Sequence, residues 1–154
     1  MTDDQIQLTF RTATTADVDV LVALLTGGTL SPEAEGPRTH EGYTLALQEL
    51  SRTGAGEVVV AVSDGEVVAM AQLVYLRHFQ HRGGLCAEIE SVHVRRDVRS
   101  QGIGTALLAE VLRRAKDRGA YRVQLTSNRQ RTEAHRFYER LEFQPSHVGY
   151  KFIW

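Results

Sequence analysis

One stretch of the sequence concentrates residues with chemical capability: Glu88-Ile-Glu90-Ser-Val-His-Val-Arg-Arg-Asp-Val-Arg99-Ser-Gln-Gly102-Ile-Gly104. Its first half reads as a strand and its second as a turn that opens a helix near Gly102. Such a turn presents several backbone N–H groups at the positive end of a helix dipole, and glycines let an anion approach the main chain closely. Arg99 adds charge of the same sign, and a pyrophosphate suits the turn. Upstream, Glu88 and Glu90 stand at i and i+2 and so share one face of the strand. Two carboxylates so close raise each other's proton affinity and move one toward a useful base. A solvated strand edge, or a salt bridge to a nearby arginine, is the alternative place for either. His93 is a further candidate base, but alternation turns it to the opposite face unless a bulge intervenes.

Several other chemistries are set aside. The chain lacks the Gly-x4-Gly-Lys-Ser/Thr pattern of a nucleoside triphosphate loop. A dinucleotide fingerprint needs a third glycine where Leu107 stands, and needs to follow an early strand rather than about four. His78, His81 and Cys86 lack a fourth ligand at regular spacing, so no metal is expected. Cys86 is the lone cysteine, has no nameable partner for thiolate activation, and reads as a small buried apolar residue. His135 and His147 read as solvent-facing or hydrogen-bonding residues.

Composition bounds the rest. The 154 residues suit one domain, 1–154, and 42% hydrophobic with 24% charged is ordinary for a globular protein. No apolar run is long enough to span a membrane. The opening MTDDQIQLTF has neither a basic region nor a sustained apolar one, and with a single cysteine this gives an expectation of cytoplasmic location. Net charge is −1, which gives no reason to expect nucleic-acid binding. Residues 95 to 140 nevertheless hold 12 of the 18 basic and 5 of the 19 acidic residues, a balance of +7 against −8 for the remainder. One third of the chain suits an anionic ligand and the rest a cationic one.

The elements that position these residues follow from periodicity. Ile6 to Arg11 alternates as a strand, and Thr14 with Asp17 resembles a helix N-cap ahead of the stripe Val18, Leu21, Val22 and Leu25. Thr26 to Arg38, with Gly27, Gly28, Pro32, Gly36 and Pro37, reads as a loop near a pocket. Tyr43, Ala46, Leu47 and Leu50 give a second helix. Val58 to Val62 and Val67 to Leu76 flank the turn signal Asp64-Gly65, which predicts a hairpin. A polar link from Arg77 to Gly84 leads to the strand Cys86 to Val94. The helix from Gly102 carries Ile103, Leu107, Leu108, Val111, Leu112 and Ala115 on one side and ends at Gly119. A strand Arg122 to Thr126, a helix Glu133 to Leu141 and a closing strand Val148 to Trp154 complete the chain. The expectation is an α/β fold with a mixed, predominantly antiparallel sheet and helices on both faces.

Arg99-Ser-Gln-Gly102-Ile-Gly104 resembles the Arg/Gln-x-x-Gly-x-Gly/Ala signature of the GNAT acetyltransferases, and Ala134-His-Arg-Phe-Tyr138-Glu-Arg-Leu-Glu-Phe143 is similar to their second signature. The order of elements resembles that fold over the whole chain. The resemblance implies acetyl-CoA as donor, its pyrophosphate held by backbone amides of Arg99, Ser100, Gln101, Gly102, Ile103, Gly104 and Thr105. It implies a pantetheine arm paired to the strand at Val92, His93 and Val94, beside a gap where that strand splays from the next. Asn128 and Arg131 are the two candidates for a further cofactor contact. Glu142 departs from the glycine of the family's Leu-Gly-Phe, which bears on the local turn.

An amine acceptor arrives as ammonium and must lose a proton before attacking the thioester, which is work for Glu90 or Glu88. Glu90 lies closer to the cofactor strand. A backbone N–H near His93 or Val94 would stabilise the oxyanion. The resemblance makes Tyr138 the acid that protonates the departing thiolate; its inward position with Phe137 and Leu141 equally fits a core role. The leading expectation is therefore acetyl transfer to a primary amine of a small, cationic acceptor. Alternatives are a peptide or protein amine, or a non-catalytic acyl-CoA-binding module. Specificity is expected from Thr26 to Arg38, the Tyr43 helix and Arg77 to Gly84. The apolar Tyr150-Lys-Phe-Ile-Trp154 end suits a homodimer contact.

Overall fold

The computed structural model describes residues 6–35 and 40–154. By packing it comprises two compact units, Met1–Gln124 and Leu125–Trp154. Gly36, Pro37 and Arg38 of the expected loop lie outside the described residues.

Strands β1 (Thr9–Thr12), β2 (Gly56–Ser63), β3 (Glu66–Arg77), β4 (Leu85–Val94) and β5 (Ala120–Leu125), all but the last residue of β5 within the first unit, form one sheet in that order. The pairs β1–β2, β2–β3 and β3–β4 are antiparallel. The β2–β3 hairpin closes at Asp64 and Gly65, whose φ angles of 50° and 80° are the pair of positive values a two-residue hairpin turn needs. Helices α1 (Val18–Gly28) and α2 (Glu41–Thr53) precede the hairpin, and α3 (Ile103–Asp117) follows β4.

Alternation along β2 divides the core. Val58 and Val60 pack with Leu21 and Leu24 of α1 and with Met70. Val59 and Ala61 therefore point to the other face, where α3 lies against β2, β3 and β4 and buries Leu107, Leu108 and Val111. Helices thus cover both faces, as the sequence predicts. Arg114 of α3 reinforces this docking, donating to Glu57 at 2.7 Å and to the Thr12 hydroxyl at 3.0 Å.

Entry into α1 follows the expected capping pattern through a 3₁₀ turn, Thr15–Asp17. Asp17 accepts the Thr14 N–H at 2.8 Å and both Arg11 guanidinium donors at 2.7 and 2.8 Å. The Arg11 hydrogen bonds, against the opposing effect of burial, lower its carboxyl to about 2. A depressed acid stabilises the fold fully above its ordinary value near 4, and that contribution is lost as pH falls through 2. Asp17→Asn is therefore expected to lower unfolding free energy by about 2 kcal/mol at pH 7. Urea unfolding of both proteins should show that gap shrinking between pH 4 and pH 2; an unchanging gap refutes the assignment.

Three expectations change. The first strand starts at Thr9 rather than Ile6. Gly27 and Gly28 belong to the last turn of α1, not to a loop. No strand forms over Val148 to Trp154, where Tyr150 and Phe152 are 91% and 80% exposed. Apolar residues alone do not make a strand, because the main-chain N–H and C=O groups must also find a ladder. The second unit instead holds α4 (Thr132–Arg140).

Candidate active site

The strand that carries Glu88 and Glu90 is bulged. Val74 pairs with Glu88 and Gln72 with Glu90, but Met70 pairs with His93, so Ala71 faces both Ser91 and Val92. Ser91 absorbs the extra residue with a φ of 53°. The bulge reverses alternation, and His93 joins Glu88 and Glu90 on the α1 side of the sheet instead of opposing them. There it is buried against the end of α1. A Cβ on Gly28 would lie 2.2 Å from its Nδ1, so only glycine permits this approach. Glu90 is exposed and Glu88 half-buried, the latter accepting the Gln124 amide at 3.4 Å.

Beyond β4 the chain turns into α3. The Arg95 N–H donates to Val68 O at 2.9 Å, and Arg96 reaches back to Gly27 O at 3.1 Å. Arg99 donates to Val94 O at 3.0 Å, bracing the turn against the end of the strand. Ser100 and Gly102 take φ of 63° and 79°, which brings the chain onto the helix axis. Ala106 N–H accepts the role of first intrahelical donor, to Gly102 O at 3.0 Å. The amides of Ile103, Gly104 and Thr105 belong to the first turn, where no side chain caps them and no acid stands. Their dipoles are left to an outside acceptor. Gln101 and Thr105 are exposed and Ile103 is buried, so the turn is anchored on one side and open on the other.

Within the second unit, Tyr138 is half-buried, its ring 5.4 Å from that of Phe137 and 5.9 Å from that of Phe143. Its carbonyl accepts from Leu141 and Phe143 at 3.0 and 3.1 Å, closing the helix. Glu142 adopts a φ of 67° there; the left-handed turn is kept although glycine is absent. Asn128 is engaged in its own loop, its side-chain oxygen accepting from Gln130 N–H at 2.9 Å and its carbonyl from Arg131 N–H at 3.0 Å. Arg131 is the residue from which α4 starts.

A cavity of about 230 Å³ lies between α1, α2 and the sheet, with Gln72 and Ser91 of the bulge in its wall. Glu35 and Tyr43 also line it, joined by a 2.6 Å hydrogen bond from the phenol to the carboxylate. That bond raises the Tyr43 pKa. Two of the three segments expected to set specificity therefore meet at one cavity. The third does not line it: His78 pairs with the Tyr121 hydroxyl at 2.8 Å, and His81 lies against the Tyr121 ring. Among the described residues no group of three His, Cys, Asp or Glu could hold a metal ion, and Cys86 is fully buried. Gly28, Gln72, Ser91 and Arg96 were not singled out by the sequence as site residues. The glycine pair at 27 and 28 was the one visible signal, and it pointed to a loop.

Residues 28–143 match the model of the acetyltransferase (GNAT) family. The aminoalkylphosphonate N-acetyltransferase of Salmonella typhimurium is 33% identical over 140 residues, 91% of this chain and 87% of its own. A solved structure described as a transcriptional regulator from Bacillus halodurans superposes with a TM-score of 0.89 at 33% identity, over 96% of this chain and all of that one. Glucosamine-6-phosphate N-acetyltransferase from Arabidopsis thaliana, at 20% identity and a TM-score of 0.81 over 96% of this chain and 98% of its own, shares the fold. The chain belongs to the GNAT family and is an acyl-CoA N-acetyltransferase.

Proposed function

We propose that residues 1–154 act as a single domain that moves the acetyl group of acetyl-CoA to a primary amine of a small-molecule acceptor. The observation that carries this reading is the uncapped first turn of α3, reached directly from the bulged strand that bears Glu90. The turn's amides and Arg99 suit a diphosphate, and Val92 to Val94 suit the pantetheine arm. Glu90 removes the ammonium proton, with Glu88 as its neighbour on the strand. The amine nitrogen then attacks the thioester carbonyl, and charge on the carbonyl oxygen is met by a main-chain N–H near His93 or Val94. The carbon–sulfur bond breaks, Tyr138 gives its proton to the leaving thiolate, and the second proton of the acetylated nitrogen passes to the Tyr138 phenolate and restores it. Asn128 and Arg131 are assigned a supporting cofactor contact.

The acceptor is small because the Salmonella relative is named for aminoalkylphosphonates, and cationic because the chain outside residues 95 to 140 sums to −8. The buried lone thiol supports cytoplasmic action, and among the described residues no helix is long and apolar enough to cross a membrane. The exposed Tyr150, Phe152, Ile153 and Trp154 support a homodimer contact.

The test is consumption of acetyl-CoA with a panel of amines; no turnover with any amine rejects the reading. Tyr138→Phe sharpens it. A thiolate of pKa about 8.5 leaves without much help, so the expected loss in kcat is about 10- to 100-fold, below the range usual for a general acid. The KM for acetyl-CoA should stay within twofold. An unchanged kcat removes Tyr138 from the chemistry.

A second reading draws on the description of the Bacillus halodurans structure as a transcriptional regulator: a module that binds acyl-CoA and signals its level to a partner. Calorimetric binding of acyl-CoA without turnover of any amine favours it.

A further inference from the structure

We infer that the acceptor is a primary amine on an apolar, unphosphorylated body, and that the cavity between α1, α2 and the bulged strands selects it. This rests on the acetyl-transfer reading above. Leu21, Leu25, Leu47, Leu50, Val58 and Met70 make half of the cavity wall, and its volume is about 230 Å³. An apolar protein cavity of about 150 Å³ already takes up benzene, so a phenyl or short alkyl body fits with room for its linker.

Charge decides against the alternative. Among the described residues that line the cavity there is no Lys, Arg or His, and Glu35 is the one charged group. A phosphate or phosphonate drawn into this space would lose water without gaining a cationic donor from the described lining, and would meet a carboxylate. A cationic amine meets the opposite situation. The polar end of the wall is Gln72 and Ser91, and Gln72 is the register partner of Glu90. An amine whose body lies under α2 therefore carries its nitrogen toward the residue assigned as base. The hydrogen bond between Tyr43 and Glu35 ties the segment after α1 to α2 at the same cavity.

The experiment compares phenethylamine with 2-aminoethylphosphonate and glucosamine 6-phosphate on the full chain, by turnover at saturating acetyl-CoA and by calorimetry on the CoA-loaded protein. The expected result is a kcat/KM at least 100-fold higher for phenethylamine, with heat of binding for that amine alone. Ala46→Phe, on the exposed side of α2 where it narrows the cavity, is expected to raise KM for phenethylamine at least tenfold, and more than it raises KM for ethylamine. Equal or better use of either phosphorylated amine, or no binding and no turnover of phenethylamine, overturns the inference. Preferential binding of phenethylamine without turnover of any amine upholds the cavity's selectivity while rejecting acetyl transfer, so the two failures are told apart.

Discussion

Glu90→Gln is expected to lower kcat/KM at pH 7 by about 10²- to 10⁴-fold, the usual contribution of a positioned general base, with no change in CoA affinity. Glutamine keeps the size and hydrogen-bonding capacity of the side chain and loses only the ability to take a proton. Glu90 is exposed, and an unchanged Tm for the variant is the check that the fold is intact. The pH profile separates a base from a structural residue. An aliphatic amine with a pKa near 10.4 is almost wholly protonated at neutral pH, so without the base the rate should follow the fraction of free amine. The log of kcat/KM for the variant then rises by about one for each pH unit up to that pKa, and the deficit narrows in alkali. Glu88→Gln is the matched control. Its carboxylate is half-buried and engaged by Gln124, and a loss below tenfold is expected. A Glu90→Gln enzyme within threefold of the parent would falsify the assignment and turn attention to Glu88 and His93, which the bulge places on the same face.

How much of this was legible beforehand depended on whether the cause was local. Asp64-Gly65 gave the hairpin because the turn type demands positive φ at both positions, and those residue types announce it. Thr14 with Asp17 gave the start of α1, since a capping pattern is written in three consecutive spacings. The stripe from Ile103 to Ala115 gave α3. The turn into α3 was legible as well, because glycine at 102 and the missing first-turn acid are both visible in the sequence. The bulge at Ser91 was not legible. It adds one residue without disturbing the apolar alternation on either side, and a serine rather than a glycine takes the positive φ. Without the bulge His93 falls on the wrong face. Gly27-Gly28 misled for a related reason: a glycine pair locally signals a break, whereas Gly28 is required by the tertiary approach of His93. The closing strand failed because alternation cannot show whether a ladder partner is present. The cavity between α1, α2 and the sheet was readable only as segments. Its wall is assembled from α1, the segment that follows it, α2 and three strands, and no one window of sequence contains it.

Thr105→Asp is the second large effect, and it sets stability and binding in opposite directions. Thr105 is exposed in the first turn of α3, where a carboxylate interacts favourably with the helix dipole. The variant should therefore be stabilised by about 0.3–1 kcal/mol, seen as an unchanged or raised Tm. The same charge stands where the diphosphate is proposed to sit. Two unit charges about 6 Å apart in an effective dielectric near 20 repel by about 3 kcal/mol, which corresponds to a Kd for CoA raised roughly 100-fold. Thr105→Asn carries no charge and should bind within threefold of the parent, so any steric contribution is measured separately. Added salt should recover part of the affinity of the Asp variant, since the interaction is screened within about 10 Å at 0.1 M. A destabilised Asp variant would say only that the side chain packs badly. A stable Asp variant that binds CoA as the parent does would mean that the α3 amides hold no diphosphate, and the donor site would have to be sought elsewhere on the chain.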